Sequence, residues 1–218
     1  MLEAGDHIYA WRKGYVYAHH GIYVGSNQVI HFAAANDKVI SIGTIMNRFS
    51  SCSSGSSSVC QKCVPTNPNQ QVKSSCLDCF LRGCKLRRFE YGVGHDLQVL
   101  IQRGGTCSKL PSSPSELVVH RATYLLREGF MPYNLFTNNC EGFARYCKTG
   151  YLPKDIPTAS GQVNAKLAIL KLAEGIGQGA VHHDAALAVE GAQKFVCTKL
   201  QIEDPENLMR VEVEELNK

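Results

Sequence analysis

A cysteine that opens a short helix and two histidines in strand-like sequence far upstream are the residues of this chain best suited to covalent chemistry. Asn138-Asn139-Cys140-Glu141-Gly142-Phe143-Ala144-Arg145-Tyr146-Cys147 begins with two asparagines that read as helix caps, because an Asn side chain accepts a bond from a first-turn amide. Cys140 then falls at the positive end of the helix dipole, which lowers a thiol pKa and favours the nucleophilic thiolate. A nucleophilic thiol needs a base to take its proton, and the base needs a partner to orient it. Two segments supply candidates: Tyr17-Ala18-His19-His20-Gly21-Ile22-Tyr23-Val24-Gly25 and Val29-Ile30-His31-Phe32. Strand alternation sends His19 and His20 to opposite faces, so only one of them can serve the thiol. Taken singly, a cysteine is more often a buried core thiol and a strand histidine a core or surface residue. The residues by themselves leave that reading open.

A second set of thiols has different spacing. Cys60-x2-Cys63 and Cys76-x2-Cys79 are two knuckles with 12 residues between them. Each offers two sulfurs on one tight turn, and zinc favours four thiolates in a tetrahedron. With all four positions filled by sulfur, no site stays open for water, so such a zinc is structural and stands outside the reaction. Cys52 and Cys84 are spares, with Cys84 a substitute for Cys79. Cys107, Cys147 and Cys197 read as buried thiols. The chain holds 10 cysteines and opens on polar sequence with no secretory leader, so a reducing, cytoplasmic setting is expected, with metal binding ahead of disulfides.

The elements that must position these groups are short. His7 to Trp11, Tyr15 to Val24 and Gln28 to Ala33 read as strands, the last two joined across Gly25-Ser26-Asn27 as a hairpin. Lys38 to Ile45 reads as a weaker fourth strand, and Leu86 to Tyr91 as a return to the sheet. Ser113-Pro114-Ser115-Glu116 reads as a capping box opening a helix whose buried stripe runs through Leu117, His120, Ala122 or Tyr124, and Leu125 to a stop at Gly129. The Cys140 helix stops at Gly150. Residues 50–58 are nearly all serine, and 50–84 reads as an insertion with no core of its own. Residues 163–200 carry a moderate helical period, and the acidic tail from Glu203 reads as frayed. The expected division is a catalytic domain over 1–49 and 85–158, the Ser/Cys-rich zinc-binding insertion over 50–84, and a helical extension over 159–218.

The chain has 218 residues, 44% of them hydrophobic, and a net charge of +4. That supplies a core and asks for no nucleic acid, while leaving peripheral contact with a membrane surface open. No stretch approaches the ~20 apolar residues of a spanning helix, and Leu2 stands where N-myristoylation needs Gly.

Together, His19 to Gly25, His31 and Asn139-Cys140-Glu141-Gly142-Phe143 resemble the lecithin retinol acyltransferase family, which includes the HRAS-like suppressor phospholipase/acyltransferases. Gly5-Asp6-His7-Ile8-Tyr9 resembles the family's opening, and the Ser/Cys-rich insertion and the paired histidines look most like its plant members. The resemblance implies an α+β fold: a circularly permuted papain-like one, with an antiparallel sheet packed on helices. It implies Cys140 as nucleophile, His19 as general base and His31 as the orienting third member. His20 stands where the family often has Trp, and Gly142 where it usually has His. The implied activity is that of a thiol acyltransferase or lipase working through a Cys140 acyl-enzyme. Its donor is a phospholipid or an acyl thioester, and its acceptor is unknown. Two other readings stay open at this point: a peptidase or amidase on the same fold, and an inactive fold serving as a zinc-stabilised interaction module.

Overall fold

A computed structural model describes residues 1–12, 18–33, 60, 63, 70–94, 106–132, 138–154 and 205–216. The expected strand over 38–45, the serine run at 50–58 and the helical run over 163–200 lie outside the described residues.

Five antiparallel strands form the main sheet: β1 (His7–Trp11), β2 (Ala18–Gly25), β3 (Gln28–Phe32), β4 (Val72–Cys76) and β5 (Arg87–Arg88), in the order β4-β3-β2-β1-β5. The hairpin joining β2 to β3 turns on Ser26 and Asn27, both at positive φ (47° and 60°). That is the turn whose twist matches the strands it joins. Between β4 and β5 lies a five-residue helix, α1 (Leu77–Leu81). Two longer helices follow, α2 (Ser115–Glu128) and α3 (Cys140–Thr149), and then a two-stranded sheet of β6 (Tyr151–Pro153) and β7 (Leu208–Arg210).

Strand alternation divides the sheet into two unlike faces. Ile22, Ile30, Phe32 and Val72 pack with Val118, Ala122 and Leu125 of α2 and Phe143, Ala144 and Tyr146 of α3 in the main core. On the other face Ile8 and Val29 pack on Phe80 of α1. β1 is buried on both sides, which is why His7-Ile8-Tyr9-Ala10 reads as a continuous rather than an alternating run.

Four expectations change. β4 runs through the polar sequence Val72-Lys73-Ser74-Ser75-Cys76, inside the segment expected to contribute nothing to the sheet; it pairs with the whole of β3. An edge strand needs only one neighbour's backbone, so it forms without an apolar repeat. α2 begins at Ser115 with Pro114 at its cap and no side-chain capping bond. Ser113 instead accepts from Arg121 Nη1 at 2.9 Å and gives its amide to the Lys148 carbonyl at 2.7 Å. The buried stripe of α2 is Val118, Arg121, Ala122 and Leu125: Leu125 and Ala122 are buried as expected, while Val118 and Arg121 take the places expected for Leu117 and His120, which are exposed. The acidic tail is docked over 205–216: Val213 is in the main core, and the Val211 carbonyl accepts from Tyr146 Oη at 3.0 Å.

Candidate active site

α3 owes its start to one asparagine. Asn139 is extended (φ −121°, ψ −174°), and its Oδ1 accepts from the amides of Glu141 (3.0 Å) and Gly142 (3.1 Å). Asn138, expected as a second cap, instead donates through Nδ2 to the Met131 and Pro132 carbonyls at 2.8 and 2.9 Å, which ties the end of the α2–α3 connection. The first helical residue is Cys140, buried at 4% exposure. Its thiol donates to the Ala18 carbonyl at 3.8 Å. The nucleophile candidate therefore meets β2 at the peptide leading directly into His19. A Cβ at Gly142 would meet nothing closer than 4.0 Å, so the backbone there leaves room for a side chain and the glycine is not forced by a close approach.

His19 and His31 come together on the α1 face of the sheet. Gly21 stands opposite His31 in the β2–β3 register, so His19 is two residues along from that pair on the same face. His19 Nε2 lies 3.0 Å from His31 Nδ1, and His31 Nε2 lies 2.9 Å from Ser75 Oγ. One tautomer set satisfies the whole string. His31 donates Nε2–H to Ser75, His19 donates Nε2–H to His31, and His19 Nδ1 keeps the lone pair that a base requires. Phe80 underlies both rings, with centroids 5.3 Å from His19 and 5.6 Å from His31.

Electrostatics hold both imidazoles neutral. Burial first, then His31 and the Arg12 guanidinium, keep His19 well below the ordinary histidine range. Burial, then Arg12 and Lys73, push His31 down to about 3. Arg12 is itself buried and donates to the Phe80 and Leu81 carbonyls at 2.7 and 2.8 Å, closing the C-terminal end of α1. A neutral imidazole accepts a thiol proton, which a cationic one cannot do.

A second histidine pair lies on the opposite face, the one that α3 covers. His20 Nδ1 is 2.9 Å from His7 Nε2, and His7 Nδ1 is 2.8 Å from Tyr91 Oη. Phe89 stacks on His7 at 4.3 Å and Tyr9 on His20 at 5.4 Å. Burial, then His20 and the lysine and arginine of α3 (Lys148, Arg145), hold His7 well below its ordinary range. The expected opposition of His19 and His20 across β2 is therefore present. α3 packs on the side of His20, and the link from Cys140 to His19 runs through the Ala18–His19 peptide. Ser75, Phe80 and Arg12 escaped the sequence reading, because a serine in a serine-rich stretch and an arginine after a strand carry no motif.

The four knuckle cysteines converge. The sulfurs of Cys60, Cys63, Cys76 and Cys79 lie within 4.8 Å of one another. A tetrahedral zinc with Zn–S bonds of ~2.3 Å separates its sulfurs by about 3.8 Å, so the donor set fits such a metal after a small contraction. Cys63 Sγ already accepts the Cys76 amide at 3.1 Å, and the Cys63 amide donates to the Cys60 carbonyl at 2.9 Å. Two other cysteine expectations change. Cys84 is disulfide-bonded, which removes its sulfur from the reserve of thiolate ligands, and Cys107 is half-buried rather than buried. Cys147 is buried as expected, and burial pushes its thiol pKa up.

Among the described residues no helix is long and apolar enough to cross a membrane. The family model described as lecithin retinol acyltransferase matches residues 1–153. Over 153 residues the chain is 50% identical to the protein LEAD-SENSITIVE 1 of Arabidopsis thaliana, a span that covers 69% of this chain and 59% of that relative. The chain thus spans less than two thirds of its relative's length. The matched span contains His19, His31, Ser75, the four knuckle cysteines and Cys140, and on it the chain belongs to the lecithin retinol acyltransferase family.

Proposed function

We propose that this protein is a thiol acyltransferase or lipase that works through an acyl-enzyme on Cys140. Membership of the family implies thiol-dependent acyl transfer in general. The observation that carries the finer reading is the string His19–His31–Ser75, two neutral imidazoles ending at the peptide that Cys140 touches. In this reading His19 Nδ1 takes the thiol proton and the thiolate attacks an ester or thioester carbonyl. The positive end of α3 favours both the thiolate and the tetrahedral oxyanion. The amides of Glu141 and Gly142 are committed to the Asn139 cap, so their part is the field of the helix end rather than direct donation. His19 returns its proton to the leaving group, and a thioester on Cys140 remains. Water or an alcohol or amine acceptor, deprotonated by His19, then attacks that thioester and releases Cys140.

The donor we favour is a phospholipid or an acyl thioester, met at a membrane surface to which the protein binds peripherally from the cytoplasm. The chain order His, His, Cys supports the circularly permuted papain-like arrangement, and the four-sulfur cluster supports a bound zinc. The test is the intact mass of the protein after incubation with each class of acyl donor. A single acyl adduct on Cys140, absent from Cys140→Ser, is the expected result. A protein that turns over either donor with no adduct and no loss in Cys140→Ser would overturn the reading.

A further inference from the structure

The four knuckle sulfurs and the histidine pair share one short piece of chain. Ser75, which bonds His31, precedes Cys76. Phe80, which underlies His19 and His31, follows Cys79. Cys76 is both the last residue of β4 and the cap of α1, and no side-chain bond caps that helix. A five-residue helix is unstable by itself, and among the described residues β4 is an edge strand with one neighbour. Besides the β3 ladder and the packing of Phe80, this piece is held by the bonds from Arg12 to the C-terminal end of α1, by the Leu77 amide donating to the Asn27 carbonyl, and by the contact of Cys76 with the first knuckle through Cys63. The seating is tight. A Cβ added at Gly21 would come within 2.7 Å of Val29 Cγ1, 3.0 Å of Phe80 Cε2 and 3.1 Å of His31 Cβ, so small shifts of α1 reach the imidazoles directly.

We propose that the Cys60-Cys63-Cys76-Cys79 cluster binds a thiophilic divalent cation of the zinc class, and that this metal positions the His19–His31 pair without taking part in the acyl chemistry. On binding, the four thiols give up their protons to solvent and become the four ligands. The β4–α1 junction is then fixed to the first knuckle, which holds Ser75 Oγ on His31 and Phe80 beneath both rings. Without the metal the junction loses its tie to the first knuckle and rests on Arg12, the β3 ladder, the Leu77 amide bond and Phe80, so Ser75 is a less firmly held partner for His31. Ser75 is a positioning residue in this scheme, since it acts on the thiol only through His31 and His19. The inference rests on the acyl-enzyme reading for its functional meaning, while the coupling between metal and histidine stands without it.

The experiment uses the full chain purified under reducing conditions. Zinc content is measured beside the ring-nitrogen NMR signals of His31 and the rate of Cys140 alkylation by iodoacetamide as a function of pH. One zinc per chain is expected. Chelation, and separately Cys79→Ser, should change the His31 signals and slow Cys140 alkylation by about three- to tenfold, the worth of one neutral hydrogen bond. Zinc added back should restore the chelated protein. Ser75→Ala should reproduce the rate loss and displaced pH profile with its zinc retained, and Ser75→Thr, which keeps the hydroxyl, should recover both. If chelation unfolds the whole chain, the Ser75 pair decides alone, because those variants keep the metal. Protein that is folded and reactive without any metal would overturn the proposal. So would removal of zinc that leaves the His31 signals and the Cys140 rate untouched, or a Ser75→Ala variant indistinguishable from the parent. A Cys140 that alkylates but never acylates would sink the acyl-enzyme reading alone, since the His31 signals still report the coupling.

Discussion

Two histidine pairs lie back to back across β2, with nearly the same nitrogen–nitrogen separation: 3.0 Å for His19–His31 and 2.9 Å for His20–His7. Their surroundings differ. His20 and His7 are sealed at 0% and 1% exposure, stacked on Tyr9 and Phe89, and their string ends on the hydroxyl of Tyr91. His19 is half-buried, and its string ends on a serine whose strand is the edge of the sheet. Hydrogen-bonded imidazoles are therefore not a site in themselves. What sets the first pair apart is that the Cys140 thiol meets the peptide leading into His19, and that its orienting partner Ser75 adjoins the sulfur cluster. The second pair reads as a buried polar network that aligns β1 with β2 beneath α3.

The largest effect that would break this contrast is loss of the Cys140 thiol, which meets β2 at the peptide leading into His19. Cys140→Ser is expected to abolish acyl transfer while leaving the melting temperature close to the parent's, since the hydroxyl is nearly isosteric and a far poorer nucleophile. Turnover comparable to the parent's would remove the central claim. Next comes the contrast itself. His19→Ala should lower the rate by about 10²–10⁴-fold, the range for a general base, with little change in stability, whereas His20→Ala should lower stability more than rate. Reversed losses would hand the base role to the buried pair on the α3 side.

Acid should act on both pairs through stability. The folded pKa values of His7 and His31 are depressed, so the unfolded chain takes up protons below about pH 6.5 while the folded one does not. Their contribution is fully present above pH 6.5 and is lost as pH falls toward their folded values, down to about 3 for His31. The slope is at most about 1.4 kcal/mol per pH unit for each group. Urea melts from pH 7 to pH 5 should show stability falling, and His7→Phe should make the fall shallower. Stability that stays flat or rises on acidification would mean that these imidazoles are charged in the fold. The smallest effect is expected at the helix cap. Asn139→Ala should cost about 1 kcal/mol, read by thermal melting, and should raise the Cys140 thiol pKa as the helix start loosens.

Local signals carried much of this in the residues themselves. β1 is found where the sequence puts it, and Gly129 and Gly150 end their helices as expected. The Ser26-Asn27 turn closes the hairpin. The misreadings fall where a partner outside the local motif outweighs a local rule. Ser113 gave up its capping role to Arg121 and Lys148. Asn138 was taken by two loop carbonyls, and the acidic tail was held by Val213 and the Tyr146 hydroxyl.

By itself the sequence determined which side chains have the chemistry. It supplied the cysteine at a helix start, the adjacent His19 and His20 on opposite faces of one strand, and the sulfur knuckles. Those follow from spacing along a single element, where geometry is set by the period of a helix or a strand. Only the tertiary structure decided that Ser75 completes the histidine string, that Arg12 and Lys73 help keep it neutral, and that the sulfur cluster abuts it. Ser75 and Lys73 reach His31 from more than 40 positions away in the chain. No local period encodes them; they arise when burial of Val72 and Phe80 brings β4 and α1 onto the sheet.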